Sequence, residues 1–489
     1  MLFVRFYDEP LAQASYLIGC SVHGVAVVID SNRLVDQYLA AAQSRGLAIE
    51  FVTETHIHAD YVSGSRELAA RTGAEIYLSD CGPSEWQYGF RNDPGVRLLR
   101  DRDAFRVGNI EIRAVHTPGH TPEHLSFLVT DTAVAPEPMG IVTGDFVFVN
   151  DVGRPDLLEK AAHIAGTADA GARQLFRSLT WFKTLPDHLQ IWPGHGAGSA
   201  CGKGMSAVPQ STVGYERRFN WAFQVENEDE FVRLVLEGQP EPPRYFARMK
   251  RINRDGPPLL GSPPLPARVA EQRLPAVLNG GAIVVDTRAS VDFAAGHIPG
   301  TLNIPWNNSF VTWAGALLPD DTDLYLVLEG GEDRANRIVR GLSTIGLDRV
   351  KGWFTPDAVA QWVREGGTPG RVEQLSPSEL ASRMTEFQVL DVRGRSEWES
   401  GHLAGATLIP LAELPERLQE VSNDRPVAVH CQGGSRSAIA ASVLLAGGHR
   451  AVANVPGGLS AWEQEGLPVE KGVMQHGSTS PFAGQGRVS

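Results

Sequence analysis

Layered α/β domains, about three in succession, are the fold class this sequence predicts. Three observations carry that expectation. The chain has 489 residues, 42% hydrophobic and 21% charged, against a norm of about 150 residues per domain. Its apolar runs are short (SYLIGC, GVAVVID, AIVVD, LYLVL, FQVLD, PVAVH), and their Gly, Pro and Asp borders fit buried strands alternating with helices. The third observation is an internal repeat. Asp286-Thr-Arg288 and Gly296-His297-Ile-Pro-Gly300 return as Asp391-Val-Arg393 and Gly401-His402-Leu-Ala-Gly405, with eleven positions from Asp to His in each copy, so two related domains follow one another.

Charge and composition narrow the function classes. The formal net charge is −13, from 44 Lys plus Arg against 57 Asp plus Glu, and such a balance repels phosphate backbones and anionic lipid heads. No nucleic-acid partner and no membrane partner are expected. The start, MLFVRFYDEP, carries Arg5, Asp8 and Glu9 where a secretory leader needs an unbroken apolar run, and no stretch reaches about 18 uncharged apolar residues. A soluble cytoplasmic protein is expected. Cys20, Cys81, Cys201 and Cys431 are scattered, with no CxxC pair, unlike a disulfide scaffold.

Along the chain, 257–266 (PPLLGSPPLP) holds five prolines in ten residues and reads as a linker, since proline removes backbone donors. A softer seam runs through 366–377, and the final HGSTSPFAGQGRVS reads as a frayed tail. Before the linker, YERRFNWAF and EFVRLVL alternate aromatic and charged residues at helical spacing, consistent with helices packed on the first domain.

The first domain carries four turns with metal-ligand residue types, three with histidine and one with aspartate. Thr55-His56-Ile57-His58-Ala59-Asp60-Tyr61 follows the strand-like AIEFVTE; then come His116-Thr-Pro-Gly-His120-Thr, Thr143-Gly-Asp145-Phe and Trp192-Pro-Gly-His195-Gly. Each falls at a strand-to-loop change, where open α/β layers hold ligands. Neutral imidazoles with a carboxylate are donors for zinc or ferrous iron. His116 reads as support for the turn that presents His120. Cys201, six residues after His195 in GAGSACGKG, has Gly-rich flanks and Lys203 nearby, which favour an exposed thiol with thiolate character and a sulfur-handling role. Cys20 and Cys81 read as packing residues.

The HxHxD, PGHT, TGD and PGH segments resemble the metallo-β-lactamase superfamily over roughly 1–256, and TGDFVFVNDVGRPDL is similar to the persulfide dioxygenases. The resemblance implies an αββα sandwich with one Fe(II) per chain, held by His56, His120 and Asp145. His58, Asp60 and His195 would orient ligands or water, with His58 open as a fourth ligand. The hydrolytic branch, including glyoxalase II, carries a histidine where this chain has Tyr61, whose phenol (pKa about 10) is a poor ligand at neutral pH.

In the last domain, Val427-Ala-Val-His-Cys431-Gln432-Gly433-Gly434-Ser435-Arg436-Ser437 runs from a buried-type strand into the helix SAIAASVLLAGG. Backbone N–H groups curling round the sulfur, the helix N-terminus and Arg436 would stabilise a thiolate or persulfide on Cys431. With DVRGRSEWESGHLAGA, this loop resembles the rhodanese sulfurtransferases over about 374–472. Five positions from Cys to Arg also separate it from the phosphatase relatives, whose loop is one residue longer. The middle segment, 267–368, resembles the same rhodanese-like fold, with Glu329 read at the position of Cys431 and an acidic loop that cannot form a persulfide; a spacer or docking role is expected.

The expected function is therefore bifunctional: oxidation of a low-molecular-weight thiol persulfide (glutathione, coenzyme A or similar) by dioxygen to sulfite, then sulfur transfer to sulfite through Cys431, giving thiosulfate. Alternatives are a dinuclear zinc thioester hydrolase fused to a sulfurtransferase, and a sulfur carrier or persulfide sensor. A homo-oligomer is expected from the aromatic helices around Phe219 to Phe231.

Overall fold

The computed structural model describes residues 1–157, 159, 166–239, 241–261 and 265–472. The expected frayed tail and positions 262–264 of the proline-rich linker lie outside the described residues. Strands β1 (Leu2–Asp8), β2 (Gln13–Cys20), β3 (Val25–Ile29), β4 (Ala48–Thr53), β5 (Glu75–Ser79) and β6 (Val96–Leu99) form one sheet in that order. From β3 to β6 the strands are parallel. A second sheet runs β12-β11-β10-β9-β8-β7, from β7 (Ala104–Val107), β8 (Ile110–His116), β9 (Leu125–Asp131), β10 (Gly140–Gly144), β11 (Gln190–Pro193) and β12 (Ser211–Thr212).

Side-chain alternation explains how the layers stack. Tyr16, Ile18, Val27 and Ile29 point inward and pack with Ile112, Ala114, Phe127, Val129, Val142 and Trp192 of the second sheet. Their neighbours Leu17, Ala26 and Val28 point outward, onto Tyr38 and Ala42 of helix Asp36–Gln43. On the far side, Leu175, Leu179 and Phe182 of helix Thr167–Phe182 cover Ile141 and Ile191 of the second sheet. Helix, sheet, sheet and helix therefore stack as the predicted αββα sandwich. Because β4, β10 and β11 end on the same side as the β8–β9 loop, the three histidine turns and the Asp145 turn converge.

Two smaller parallel sheets follow. Ile283–Asp286, Leu324–Val327 and Val350–Phe354 pair in that order, and Gln388–Asp391, Val427–His430 and Val452–Asn454 repeat the arrangement. The repeat extends to side chains. Asp286 pairs with Arg288 and Asp391 with Arg393, at 2.6 and 2.7 Å. His297 stacks on Phe293 and His402 on Trp398, with ring centroids 3.9 and 3.8 Å apart.

One correction concerns the acidic loop. The strand register sets Asp286 beside Val327 and Asp391 beside His430, so buried Leu328, not Glu329, follows the strand where Cys431 does. Only two residues separate Val327 from left-handed Gly330, against three between His430 and left-handed Gly434; the loop is one residue shorter.

The chain divides into two compact units, Met1–Ala289 with Ile304–Gly367, and Ser290–Asn303 with the chain from Thr368 onward. The proline-rich seam does not separate them. Its described part is tied to the first domain, with Arg33 donating to Pro258 O at 2.7 Å and Leu260 N–H to Glu67 Oε2 at 2.8 Å. Ser290–Asn303 groups with the second unit, where Asn303 N–H donates to Ser442 Oγ at 2.9 Å. Among the described residues no helix is long and apolar enough to cross a membrane.

Candidate functional site

His56, three residues past β4, His120 in the β8–β9 loop and Asp145, directly after β10, bring one ligand atom each within 4.8 Å of one another, all buried. His56 Nε2 lies 3.9 Å and His120 Nε2 3.5 Å from Asp145 Oδ2. Each imidazole is oriented from behind. His120 Nδ1–H donates to Arg154 O at 3.0 Å. His56 Nδ1–H donates to Thr55 Oγ1 at 2.9 Å, and the Thr55 hydroxyl donates to Asp30 Oδ2 at 3.0 Å. Both Nε2 lone pairs are thereby presented to one point, the usual arrangement behind metal-bound histidines. Burial first, then neighbouring imidazole charge at His56, lowers the pKa of both rings, which stay neutral.

Asp145 completes the donor set. Its Oδ1 accepts from His195 Nδ1–H at 2.8 Å, and its main-chain N–H donates to His124 Nε2 at 3.2 Å. Its Oδ2 is buried without a hydrogen-bond partner, a costly state unless a cation takes the lone pair. Burial works against the Asp145 carboxylate, but the charge and hydrogen bond of His195 hold it ionised well below the usual range. Neutral imidazoles, an anionic carboxylate and one orphaned oxygen fit a divalent metal. Glycines make the close packing possible: a Cβ on Gly194 would sit 2.6 Å from Asp145 Oδ1, and one on Gly153 1.8 Å from Asp145 O.

A second group lies beside the first. Asp60, His195 and Cys201 also bring ligand atoms within 4.8 Å. His195 is held between two carboxylates, with Nε2–H donating to Asp60 Oδ2 at 2.7 Å. Burial disfavours its charged form, but Asp145 and Asp60 outweigh that and raise its pKa well above normal. Tyr61 is not a member of this group. Its hydroxyl donates to Asp30 O at 3.2 Å, and burial, Asp30 and Asp60 push its pKa well up.

His58 is not among the converging ligand atoms. Its Nε2 pairs with Asp30 Oδ1 at 3.1 Å. His116 bridges its turn, with Nε2 2.8 Å from Pro122 O. The exposed thiolate expected at Cys201 is corrected. The residue is 2% exposed, burial and then Asp145 and Asp60 push its thiol well above the normal range, and Lys203 Nζ donates instead to Leu234 O and Glu237 O. Cys20 is buried with Sγ 3.2 Å from His23 Nδ1, and Cys81 is half-buried.

Sequence reasoning missed the groups behind the ligands. Asp30 holds Thr55 and His58. Asn253, from helix Tyr245–Asp255, donates to His58 O at 2.8 Å and Tyr61 O at 2.6 Å, and accepts from Ser63 N–H at 2.9 Å. Glu123, 0% exposed, accepts from Ile57 N–H at 2.8 Å. Arg154, whose side chain is fully enclosed, forks onto Asp156 with two 2.7 Å bonds and fixes the carbonyl that orients His120. The resemblance of TGDFVFVNDVGRPDL to the persulfide dioxygenases implies that Arg154, Pro155 and Asp156 lie near the metal, and assigns them no role.

In the second unit, buried Cys431 follows strand Val427–His430, and Gly434 N–H donates to its Sγ at 3.1 Å. Helix Ser435–Ala446 starts there and directs its N-terminal end at the loop. Gln432 is held between Arg393 at 3.2 Å and Ser460 at 3.0 Å, while Ser437 Oγ–H donates to Gly434 O at 3.0 Å. A Cβ on Gly458 would sit 2.1 Å from Cys431 O. Arg436 does not stand free beside the sulfur: its two terminal nitrogens each lie 2.7 Å from a Glu397 oxygen.

The family model of the metallo-beta-lactamase superfamily matches 8–195, and that of the rhodanese-like domain matches 376–465. The crystal structure of a metallo-beta-lactamase from Staphylococcus aureus subsp. aureus COL is similar over 73% of this chain and 99% of that one, at 40% identity and TM-score 0.65. ETHE1 from Myxococcus xanthus is similar over 52% of this chain and 98% of its own, at 27% identity and TM-score 0.43. The hydroxyacylglutathione hydrolase of Rhodospirillum rubrum is 30% identical over 185 residues, 37% of this chain and 60% of that protein.

Proposed function

This chain belongs to the metallo-β-lactamase superfamily, and we propose that with its rhodanese-like domain it is a bifunctional sulfur-oxidising enzyme. The first reaction is RSSH + O2 + H2O → RSH + H2SO3, with R a low-molecular-weight thiol carrier such as glutathione or coenzyme A. In the second, the Cys431 thiolate takes the outer sulfur of another RSSH, releasing the thiolate RS−; sulfite then attacks the outer sulfur of the Cys431 persulfide, the S–S bond breaks, and thiosulfate leaves with the Cys431 thiolate restored. The functional divisions are 1–256, 267–368 and 374–472, the middle one a rhodanese-like domain without a nucleophile.

The observation that carries this reading is Tyr61. The glyoxalase II type of dinuclear hydrolase carries a histidine ligand at that position, whereas here the neutral Tyr61 phenol is committed to Asp30 O. What remains is two histidines and one carboxylate, the facial donor set of ferrous oxygenases. Ferrous iron held by His56, His120 and Asp145 would supply adjacent open positions for a persulfide sulfur and dioxygen, and would pass electrons between them. His195 keeps Asp145 oriented by holding a proton on Nδ1. The buried surroundings exclude bulk water from the ligand cluster.

At the cysteine loop, the Gly434 N–H and the helix N-terminus stabilise negative sulfur on Cys431, and Leu459 N–H donating to Cys431 O at 2.8 Å fixes the main chain.

Asp60, His195 and Cys201 favour a second reading, a dinuclear zinc hydrolase, because they could hold a second ion. Metal content of the purified chain separates the two readings: one iron per chain supports the dioxygenase, two zinc ions the hydrolase.

A further inference from the structure

The middle domain has no nucleophile at the position of Cys431, yet it reaches the metal-binding loop of the first domain within one compact unit. Val62, next to Tyr61 and two residues past Asp60, donates its main-chain N–H to Thr344 O at 2.7 Å, and both residues are buried. That hydrogen bond satisfies a buried donor of the very loop that carries His56 and Asp60. Arg33, 4% exposed, pairs with Asp348 Oδ2 at 2.7 Å and donates to Ser343 O at 3.4 Å. It lies three residues from Asp30, the group that anchors Thr55 and His58. Helix Phe310–Leu317 closes in from another direction: a Cβ on Gly315 would sit 2.6 Å from the ring of Tyr245. Tyr245 opens the helix that supplies Asn253, and burial, then Asp60 and Cys201, push its hydroxyl pKa upward.

We propose that the middle domain positions the metal ligands of the first domain, through the Thr344–Val62 hydrogen bond, the Arg33–Asp348 ion pair and the Gly315–Tyr245 contact. It is a working part of the metal centre and not a spacer. The proposal rests on the His56, His120 and Asp145 centre and not on which reaction that centre serves.

The test uses the full chain loaded with Co(II), reading the visible absorption spectrum, metal affinity by chelator competition, and the unfolding temperature. Asp348→Ala and Gly315→Ala are each expected to weaken metal binding about tenfold, the lower range for losing a group behind a ligand, and to shift the Co(II) bands. Glu332→Gln, in the exposed first turn of helix Gly331–Thr344 of the same domain, is expected to keep parent values, and Asp348→Glu to recover binding to within about threefold of the parent. If Asp348→Ala does not fold, Gly315→Ala carries the test. Parent affinity and spectrum in both variants overturn the proposal, whether or not the unfolding temperature falls, because docking would then serve stability alone.

Discussion

Asp145 divides its two oxygens between His195 and the converging imidazoles, so the residues behind the ligands govern the metal as much as the ligands do. Thr55→Val keeps the shape but breaks the link from Asp30 to His56; metal affinity by chelator competition is expected to fall about 10- to 100-fold. Glu123 gives a pH signature. Burial, the largest influence, raises its pKa to about 7, against an ordinary 4.5. A raised carboxyl pKa in the folded state stabilises the protein below the unfolded value, and that contribution is lost as pH rises through the folded value. Stability is therefore expected to fall by about 3 kcal/mol between roughly pH 4.5 and 7 on this account, and Glu123→Gln to flatten that slope in denaturant titrations. The ligands were legible because they sit in short Gly- and Asp-rich motifs. Asp30 and Asn253 were not, since one ends an ordinary strand and the other lies nearly two hundred residues from the loop it clamps. Cys201 misled because glycine and lysine flanks suggest exposure, while the loop folds it against Asp60 and Asp145.

Strand alternation made the sandwich readable: Tyr16 and Ile18 face one layer and Leu17 the other, a period-two pattern that only paired sheets with outer helices satisfy. A one-residue deletion between strand and helix is not visible that way, which is why Leu328 and not Glu329 takes the place of Cys431. The turns carry sharper constraints. Gly458 has φ +54 and no room for a methyl group above Cys431 O. Gly458→Ala is expected to destabilise the second unit by more than about 1 kcal/mol. It should also abolish thiosulfate:cyanide sulfur transfer while oxygen uptake by the first unit continues.

On the proposed function, two chemistries in one chain would make sulfite at a raised local concentration for the sulfur-transfer step. Cys431→Ser is expected to keep oxygen uptake within about twofold and to release sulfite in place of thiosulfate, read by product analysis. A net charge of −13 suits small-molecule substrates better than nucleic acid. The internal repeat led to the expectation of two related domains, but the sequence seams did not disclose that 267–289 and 304–367 lie in the same compact unit as the metal centre, because Arg33, Val62 and Tyr245 have no local signature of their distant partners. The most direct test of the whole account is oxygen uptake by the anaerobically purified, Fe(II)-loaded chain given glutathione persulfide and coenzyme A persulfide in parallel. Iron-dependent uptake that yields sulfite or thiosulfate, one dioxygen per persulfide oxidised, is the predicted result; no uptake by the iron-loaded chain with either persulfide would contradict it.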